Sequence, residues 1–321
     1  MKLLSGIQKK ISPFTKHFEA RKDILNSWIK HMEFKRNPFL GFTLPNPELL
    51  VEMSEFLESL VDIVVSNERP AIFLRGPVGV GKSTHLILIR RDIQNLQDLH
   101  GNAFRTAYID RSGLHARQFA RLCAIGFNVK FNKTDDSDEI MDSVGKDIIE
   151  KFSKEKIRSI LLAEDISENQ HEIFSKLQYL ADLNAEKTEE PIATIIMTGT
   201  SEYFQALAAV LPQIADRSEP IDVPRFEWRH SREFIGRRIA YAKGEISSFD
   251  INDFNIDPFH EDAVKILAES SQGIPRDLRL LCRASVSVAA DALLRKEGKG
   301  EVTYEIAKVV SEYYQSFLSD V

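Results

Sequence analysis

Cysteine is nearly absent from this chain: 321 residues hold two, Cys123 and Cys282. Two thiols cannot frame a disulfide-stapled fold, and they suit a reducing compartment, so the cytoplasm is the expected location. No Cys/His spacing of the zinc type occurs. The eight histidines (His17, His31, His85, His100, His115, His171, His230 and His260) are scattered without ligand spacing and read as surface or packing residues. Long apolar runs are missing too. Ile192 to Met197, Ala71 to Leu74 and Ile160 to Ala163 fall far short of the ~20 residues of a membrane helix, and the opening MKLLSGIQKK lacks the apolar stretch of a signal peptide. Internal repeats, low-complexity segments and helix-turn-helix spacing are not found. Phe119, Phe127 and Phe131 read as core or loop anchors rather than as a platform for stacking bases.

What is present describes an ordinary globular protein, 43% hydrophobic and 28% charged. Single cores stop growing at roughly 250 to 300 residues, so two packed units are expected. The net charge of -6 is unevenly spread. Residues 1–36 carry nine Lys/Arg (Lys2, Lys9, Lys10, Lys16, Arg21, Lys22, Lys30, Lys35, Arg36) against Glu19, Asp23 and Glu33, which leaves +6 there and -12 on the remainder. A basic arm of this kind fits an anionic partner, and equally a solvated helix face.

Asn46-Pro47-Glu48 has the form of a helix start, and apolar residues at 49, 50, 53, 56, 57, 60, 61 and 64 keep the helical period. Beyond it, short β-rich runs (71–74, 106–109, 160–163, 192–197) alternate with helical segments (after Lys82, 114–125, 172–184). That alternation predicts a parallel sheet covered by helices. From about Phe226 the periodic segments 231–243, 259–270, 275–295 and 303–318 are all helical. The expected division is a basic arm over 1–36, an α/β domain over 37–225 and a helical lid over 226–321.

Gly76-Pro77-Val78-Gly79-Val80-Gly81-Lys82-Ser83-Thr84 satisfies G-x-x-x-x-G-K-[ST] between an apolar run and a helix, the context the motif requires. Glycines let backbone N–H groups close around a phosphate, and the following helix N-terminus favours anions. Lys82 would reach the β- and γ-phosphates of ATP, and Ser83 would hold Mg²⁺. An acid for the metal should end a later buried strand, and Ile160 to Ala163 followed by Glu164-Asp165 is the best candidate.

These residues resemble the AAA+ ATPases, within the branch of ExeA-like proteins, TnsC/TniB transposition regulators and origin-recognition initiators. The resemblance covers about residues 34–321. Phe34 with Pro38-Phe39 and the proline-rich Leu44 to Leu50 precede the first helix as in ExeA and some TnsC proteins. Ile195 to Thr200 followed by Ser201-Glu202-Tyr203 resembles a sensor-1 strand, with Thr200 or Thr198 as the sensor. Arg217 lies where such proteins direct an arginine at the next subunit's nucleotide, with Arg225, Arg229 and Arg232 as near alternatives. Gly273-Ile274-Pro275-Arg276 matches the lid-helix pattern whose arginine, Arg276, is sensor 2.

The resemblance implies an α/β P-loop AAA+ parallel sheet with a C-terminal helical lid, and an ATPase that assembles with ATP between copies of itself. It also implies duplex DNA, reached through the basic arm, and protein partners such as a transposase or targeting factor. The family order at the strand end is Asp then Glu, the first for Mg²⁺ and the second for the attacking water. Here Glu164 precedes Asp165, which displaces both carboxylates by about a C–C bond length and predicts slow hydrolysis. Two rivals stand beside this reading: an ATPase of the ExeA or signalling kind that acts on proteins without DNA, and a small-molecule P-loop kinase.

Overall fold

Among the described residues, buried apolar side chains gather into two clusters. In the computed structural model, which describes residues 13–39, 46–66, 69–110, 113–164, 171–184, 190–210 and 212–319, contacts group residues 1–51 with 226–321, and residues 52–225 among themselves. Lys2, Lys9, Lys10, Leu44, Pro45 and Asp165 lie outside the described residues. Among the described residues no helix is long and apolar enough to cross a membrane.

Helix α1 (Pro13–His31) belongs to the first unit. The second runs α2 (Ser54–Ser66), β1 (Ala71–Arg75), α3 (Lys82–Asp92), β2 (Ala103–Ile109), α4 (Ala116–Gly126), α5 (Ser137–Glu155), β3 (Ile157–Ala163), α6 (His171–Ala181), β4 (Ala193–Gly199), α7 (Ser201–Val210), α8 (Pro212–Arg217) and β5 (Ser218–Asp222). Its five strands are all parallel, in the order β2-β3-β4-β1-β5. β4 is buried at every residue and β3 at all but its first, as expected of strands covered on both faces. Phe119 and Phe127 are buried in the core of this unit and Phe131 packs against it. A buried ion pair closes the sheet's other end: Arg158 on β3 meets Asp98 of the α3–β2 connection, both almost wholly buried, and also Glu190 at 3.1 Å.

The first unit is completed by α9 (Trp228–Lys243), α10 (Glu261–Ser270), α11 (Pro275–Leu294) and α12 (Tyr304–Ser319). Trp28 of α1 is fully buried in its core, and its indole N–H donates to the Gly300 carbonyl at 2.7 Å. Gly300 takes φ +84°, a left-handed backbone that favours glycine, with the Met32 methyl and the Trp28 ring close around it. Phe39 and Phe259 meet edge to face at 5.5 Å. The basic segment is therefore bound up with apolar packing: Arg21 pairs with Asp291 of α11, and Arg36 stacks 4.5 Å over the Tyr241 ring while donating to its hydroxyl.

The structure departs from the sequence pattern in three elements. Asn46 does cap, accepting from the Glu48 N–H at 3.2 Å, but only a single 3-10 turn over Pro47–Leu49 follows. Leu50 is extended, and Leu49, Val51 and Met53 are buried in alternation, the period of extended chain; α2 starts at Ser54. α5, which the apolar pattern did not single out, is opened by a reciprocal cap: the Asp136 carboxylate accepts from the N–H groups of Asp138 and Glu139, and the Glu139 carboxylate accepts from that of Asp136. β5 is short and polar and contains Pro220. Proline has no N–H to give a ladder, so it is tolerated on this edge strand.

Candidate nucleotide-binding site

β1 delivers the Gly76–Thr84 loop at its C-terminal end. The strand end is fixed on both sides. Arg75 makes a two-pronged contact with Asp222 (2.9 and 2.7 Å), the Val223 N–H donates to the Arg75 carbonyl, and the Gly76 N–H donates to the Gly199 carbonyl at 3.3 Å. Gly76 has φ +153° and a Cβ on it would lie 2.9 Å from a Val80 methyl; Gly81 has φ +115° and ends the loop as the N-cap of α3. Val80 turns inward and is buried, whereas Val78 at the loop tip is 63% exposed. Gly81 offers no capping side chain, so the first-turn N–H groups of α3 and the positive end of its dipole serve the concave side of the loop.

Lys82 is 9% exposed, and its ammonium donates to the carbonyls of Gly76 (2.7 Å) and Pro77 (3.0 Å). One turn on, His85 is buried with its ring edge-on to Phe56 of α2 at 4.8 Å. Burial lowers the His85 pKa, with a smaller opposing effect from its bond to Gly81. The neutral ring then donates from Nδ1 to the Gly81 carbonyl, 2.9 Å away, and holds the end of the loop. The scatter of histidines along the sequence gave no sign of this role.

At the end of β3, the Glu164 N–H donates to the Ile109 carbonyl of β2 at 2.9 Å. Its Oε2 accepts from the Ser83 hydroxyl, also at 2.9 Å, and its Oε1 accepts from the Tyr108 hydroxyl of β2. The two residues read as metal ligands thus meet. A hydroxyl and a carboxylate are hard oxygen donors suited to Mg²⁺, which binds through one or two protein groups together with phosphates and water. No group of three or more His, Cys, Asp or Glu that could cage a metal comes together among the described residues. Tyr108 is a site neighbour that no sequence motif marks. Burial and then the Glu164 carboxylate push its pKa well above the ordinary tyrosine value, so it stays a donor.

The remaining candidates divide. Thr200 follows β4, whose last residue Gly199 is in register with Arg75, so it lies at the loop end of the sheet; its Oγ1 accepts from the Tyr203 N–H at 3.2 Å and caps α7. Thr198 is buried within β4. Arg217 ends α8 immediately before Ser218, which is in register with Ala71 at the start of β1. That is the opposite end of the sheet from the loop of its own chain, and there it forms an ion pair with Asp182. Among the alternatives, Arg229 pairs with Glu227 (3.3 Å), while Arg232 pairs with Glu261 (2.8 Å) and stacks on Phe254. Arg276 belongs to the helical unit. Gly273 at φ +71° and Pro275 at the first helical position place it, exposed, on the first turn of α11. Burial, followed by the charges of Arg283 and Arg276, lowers the pKa of Arg279 on the same helix.

A five-stranded parallel sheet with the phosphate-type loop leaving β1, an acid at the end of the β3 strand, and a C-terminal helical region define an α/β fold of the AAA+ class. Among solved structures, the chain is similar to the ADP form of the Aeropyrum pernix ORC2 protein (TM-score 0.59, 12% identity, 87% of this chain and 73% of that one). It is similar also to Cdc6p from Pyrobaculum aerophilum (TM-score 0.56, 15% identity, 86% and 70%). A third is the Aeropyrum pernix ORC1 protein in complex with DNA (TM-score 0.54, 16% identity, 84% and 68%). At these identities the likeness is one of fold. Neither the protein-family models nor the curated proteins compared with the chain give a match.

Proposed function

We propose that this protein is an ATP·Mg²⁺-binding AAA+ switch that assembles with copies of itself and engages duplex DNA. The observation that carries the reading is the 2.9 Å meeting of Ser83 and Glu164 beneath the glycine loop: 81 residues apart in sequence, they converge where a nucleotide-bound metal would need them. Lys82 would exchange its carbonyl partners for the β- and γ-phosphates, Ser83 and Glu164 would hold Mg²⁺, and Asp165 would orient the attacking water. The bound metal would neutralise phosphate charge during transfer. Thr200 would sense the γ-phosphate. Arg276 would act as a second sensor of that phosphate, and Arg217 would serve the nucleotide of a neighbouring copy.

DNA is supported by the fold shared with proteins whose structures include a DNA complex, and by the basic residues of 1–36. A transposition regulator, with a transposase or targeting factor as protein partner, is the finer form of this proposal. The -12 carried by the rest of the chain favours the second reading, an assembly acting on protein alone. Fluorescence anisotropy of a labelled duplex, with and without ATP over a salt series, separates the two. ATP-dependent binding that falls steeply with salt supports the first, and no binding at low salt refutes it.

A further inference from the structure

We propose that Tyr108 is a positioning residue for the metal-side acid, holding one oxygen of Glu164 so that the other is presented beside Ser83. The proposal rests on reading Glu164 as the Mg²⁺ ligand, and it adds a residue that no motif includes. Parallel pairing sets Tyr108 of β2 opposite Leu162 of β3. Glu164 is two residues beyond Leu162 and so emerges on the same face, within the diagonal reach of a long side chain across paired strands. The tyrosine hydroxyl donates to Glu164 Oε1, while Ser83 Oγ donates to Oε2 at 2.9 Å. One carboxylate thereby bridges β2 and α3. The ring is fixed from its other side by Arg90 of α3, whose guanidinium carbon lies 5.2 Å from the ring centre.

The arrangement answers a specific difficulty. Glutamate has one more rotatable bond than aspartate, so an unrestrained Glu164 would spread its carboxylate over several rotamers and meet a metal in only some of them. A phenolic donor on one oxygen selects the rotamer in which the other faces Ser83. The longer side chain becomes usable because its extra reach is taken up by Tyr108. An aspartate, shorter by about 1.5 Å, could not span from the same backbone position to both hydroxyls.

Mn²⁺, visible by electron paramagnetic resonance, is the probe, titrated into the full chain with a non-hydrolysable ATP analogue. Outer-shell partners of metal ligands typically contribute ~10- to 100-fold in metal affinity. Tyr108→Phe is expected to weaken Mn²⁺ by at least ~10-fold and to leave metal-free analogue binding unchanged. In a Glu164→Asp background the same substitution should change Mn²⁺ affinity less than about twofold, since the shorter acid cannot reach the phenol. An unchanged Mn²⁺ affinity in Tyr108→Phe, or an equal loss in both backgrounds, overturns the proposal. Loss of metal-free binding in Tyr108→Phe also overturns it, because ring packing rather than the hydroxyl then matters. Glu164→Gln distinguishes the underlying reading: if that variant keeps its Mn²⁺ affinity, Glu164 is not the metal ligand and both fall, whereas a weakened Glu164→Gln beside a silent Tyr108→Phe removes Tyr108 alone.

Discussion

Arg217 is paired with Asp182 of its own chain, at the end of the sheet remote from the phosphate loop. To reach a neighbouring copy's nucleotide it must leave that partner. Both side chains are about half exposed, so the pair contributes no more than ~1 kcal/mol and yields readily. Arg217→Ala should weaken ATP-dependent assembly while sparing ATP binding by the monomer, and Asp182→Ala should leave assembly intact or strengthen it. Light scattering with ATP tests both. Undiminished assembly in Arg217→Ala removes the arginine from the interface.

Lys82→Ala should abolish ATP binding. The buried ammonium is the only point charge the loop offers to the β- and γ-phosphates, and the glycine amides alone cannot replace it. Calorimetry showing wild-type affinity in this variant would refute the phosphate-loop assignment.

The packing of Trp28 dictates how the basic segment must be tested. Deleting residues 1–36 would remove a wholly buried tryptophan, and truncating such a residue costs about 3–5 kcal/mol. Neutralising the exposed Lys22, Lys30 and Lys35 to Gln avoids this. If these lysines meet DNA phosphates, the log-log salt slope should flatten by about 0.9 for each phosphate that is no longer neutralised, with thermal stability unchanged. A slope identical to wild type would show that these residues meet no phosphate.

The two acids can be reordered. Glu164→Asp with Asp165→Glu should hydrolyse ATP faster than the natural chain, since misplacement of ~1 Å costs up to ~10²-fold in a positioned reaction. With Glu164 already held beside Ser83, Asp165→Glu alone should supply most of the gain. Steady-state turnover measures this, and equal or lower rates in the variants would make the inversion silent.

The Asp98–Arg158 pair predicts an acid-sensitive fold. Burial by itself would raise the Asp98 pKa. Hydrogen bonds from Asn102 and the His100 N–H, with the charge of Arg158, outweigh it and hold the carboxyl below its ordinary value. The folded state therefore gains stability from Asp98 above the ordinary carboxylate pKa of ~4, and loses it as pH falls through the lower folded value. Asp98→Ala, which leaves Arg158 with Glu190 as its remaining carboxylate partner and one buried donor unsatisfied, should cost about 1–3 kcal/mol at neutral pH. Urea unfolding at pH 7 checks the cost, and a variant as stable as wild type contradicts it.

The central strands were legible because burial on both faces forces continuous apolar runs, as in Ile160 to Ala163 and Ile192 to Met197. β5 was not, because an edge strand with one side open tolerates Ser218, Glu219 and Pro220, which carry no β signal. α5 had a written signal in Asp136 and Glu139 that the apolar period alone overlooks. In the site, Gly76 to Ser83 could be read because the loop's chemistry is contiguous in sequence. Tyr108 and His85 could not. Tyr108 owes its role to the register between β2 and β3; the His85 bond to Gly81 lies within one helical turn, but the packing against Phe56 that buries the ring does not, and neither that packing nor the register is written locally.

The hydrogen bond from Trp28 to Gly300 spans 272 positions of sequence, and the sheet unit of residues 52–225 lies wholly between them. During synthesis on the ribosome, the segment carrying the phosphate loop emerges complete while the first half of the helical core still waits for its second half. Until residues 226–321 are made, Trp28, Phe34 and Phe39 lack the partners from the far end of the chain that bury them, Phe259 among the first and α11 and α12 the last. The nascent protein is then a folded sheet trailing an unfinished, exposed apolar surface. Shortening the chain from its C-terminal side would leave that surface uncovered and prone to aggregate, and would spare the strands that shape the loop.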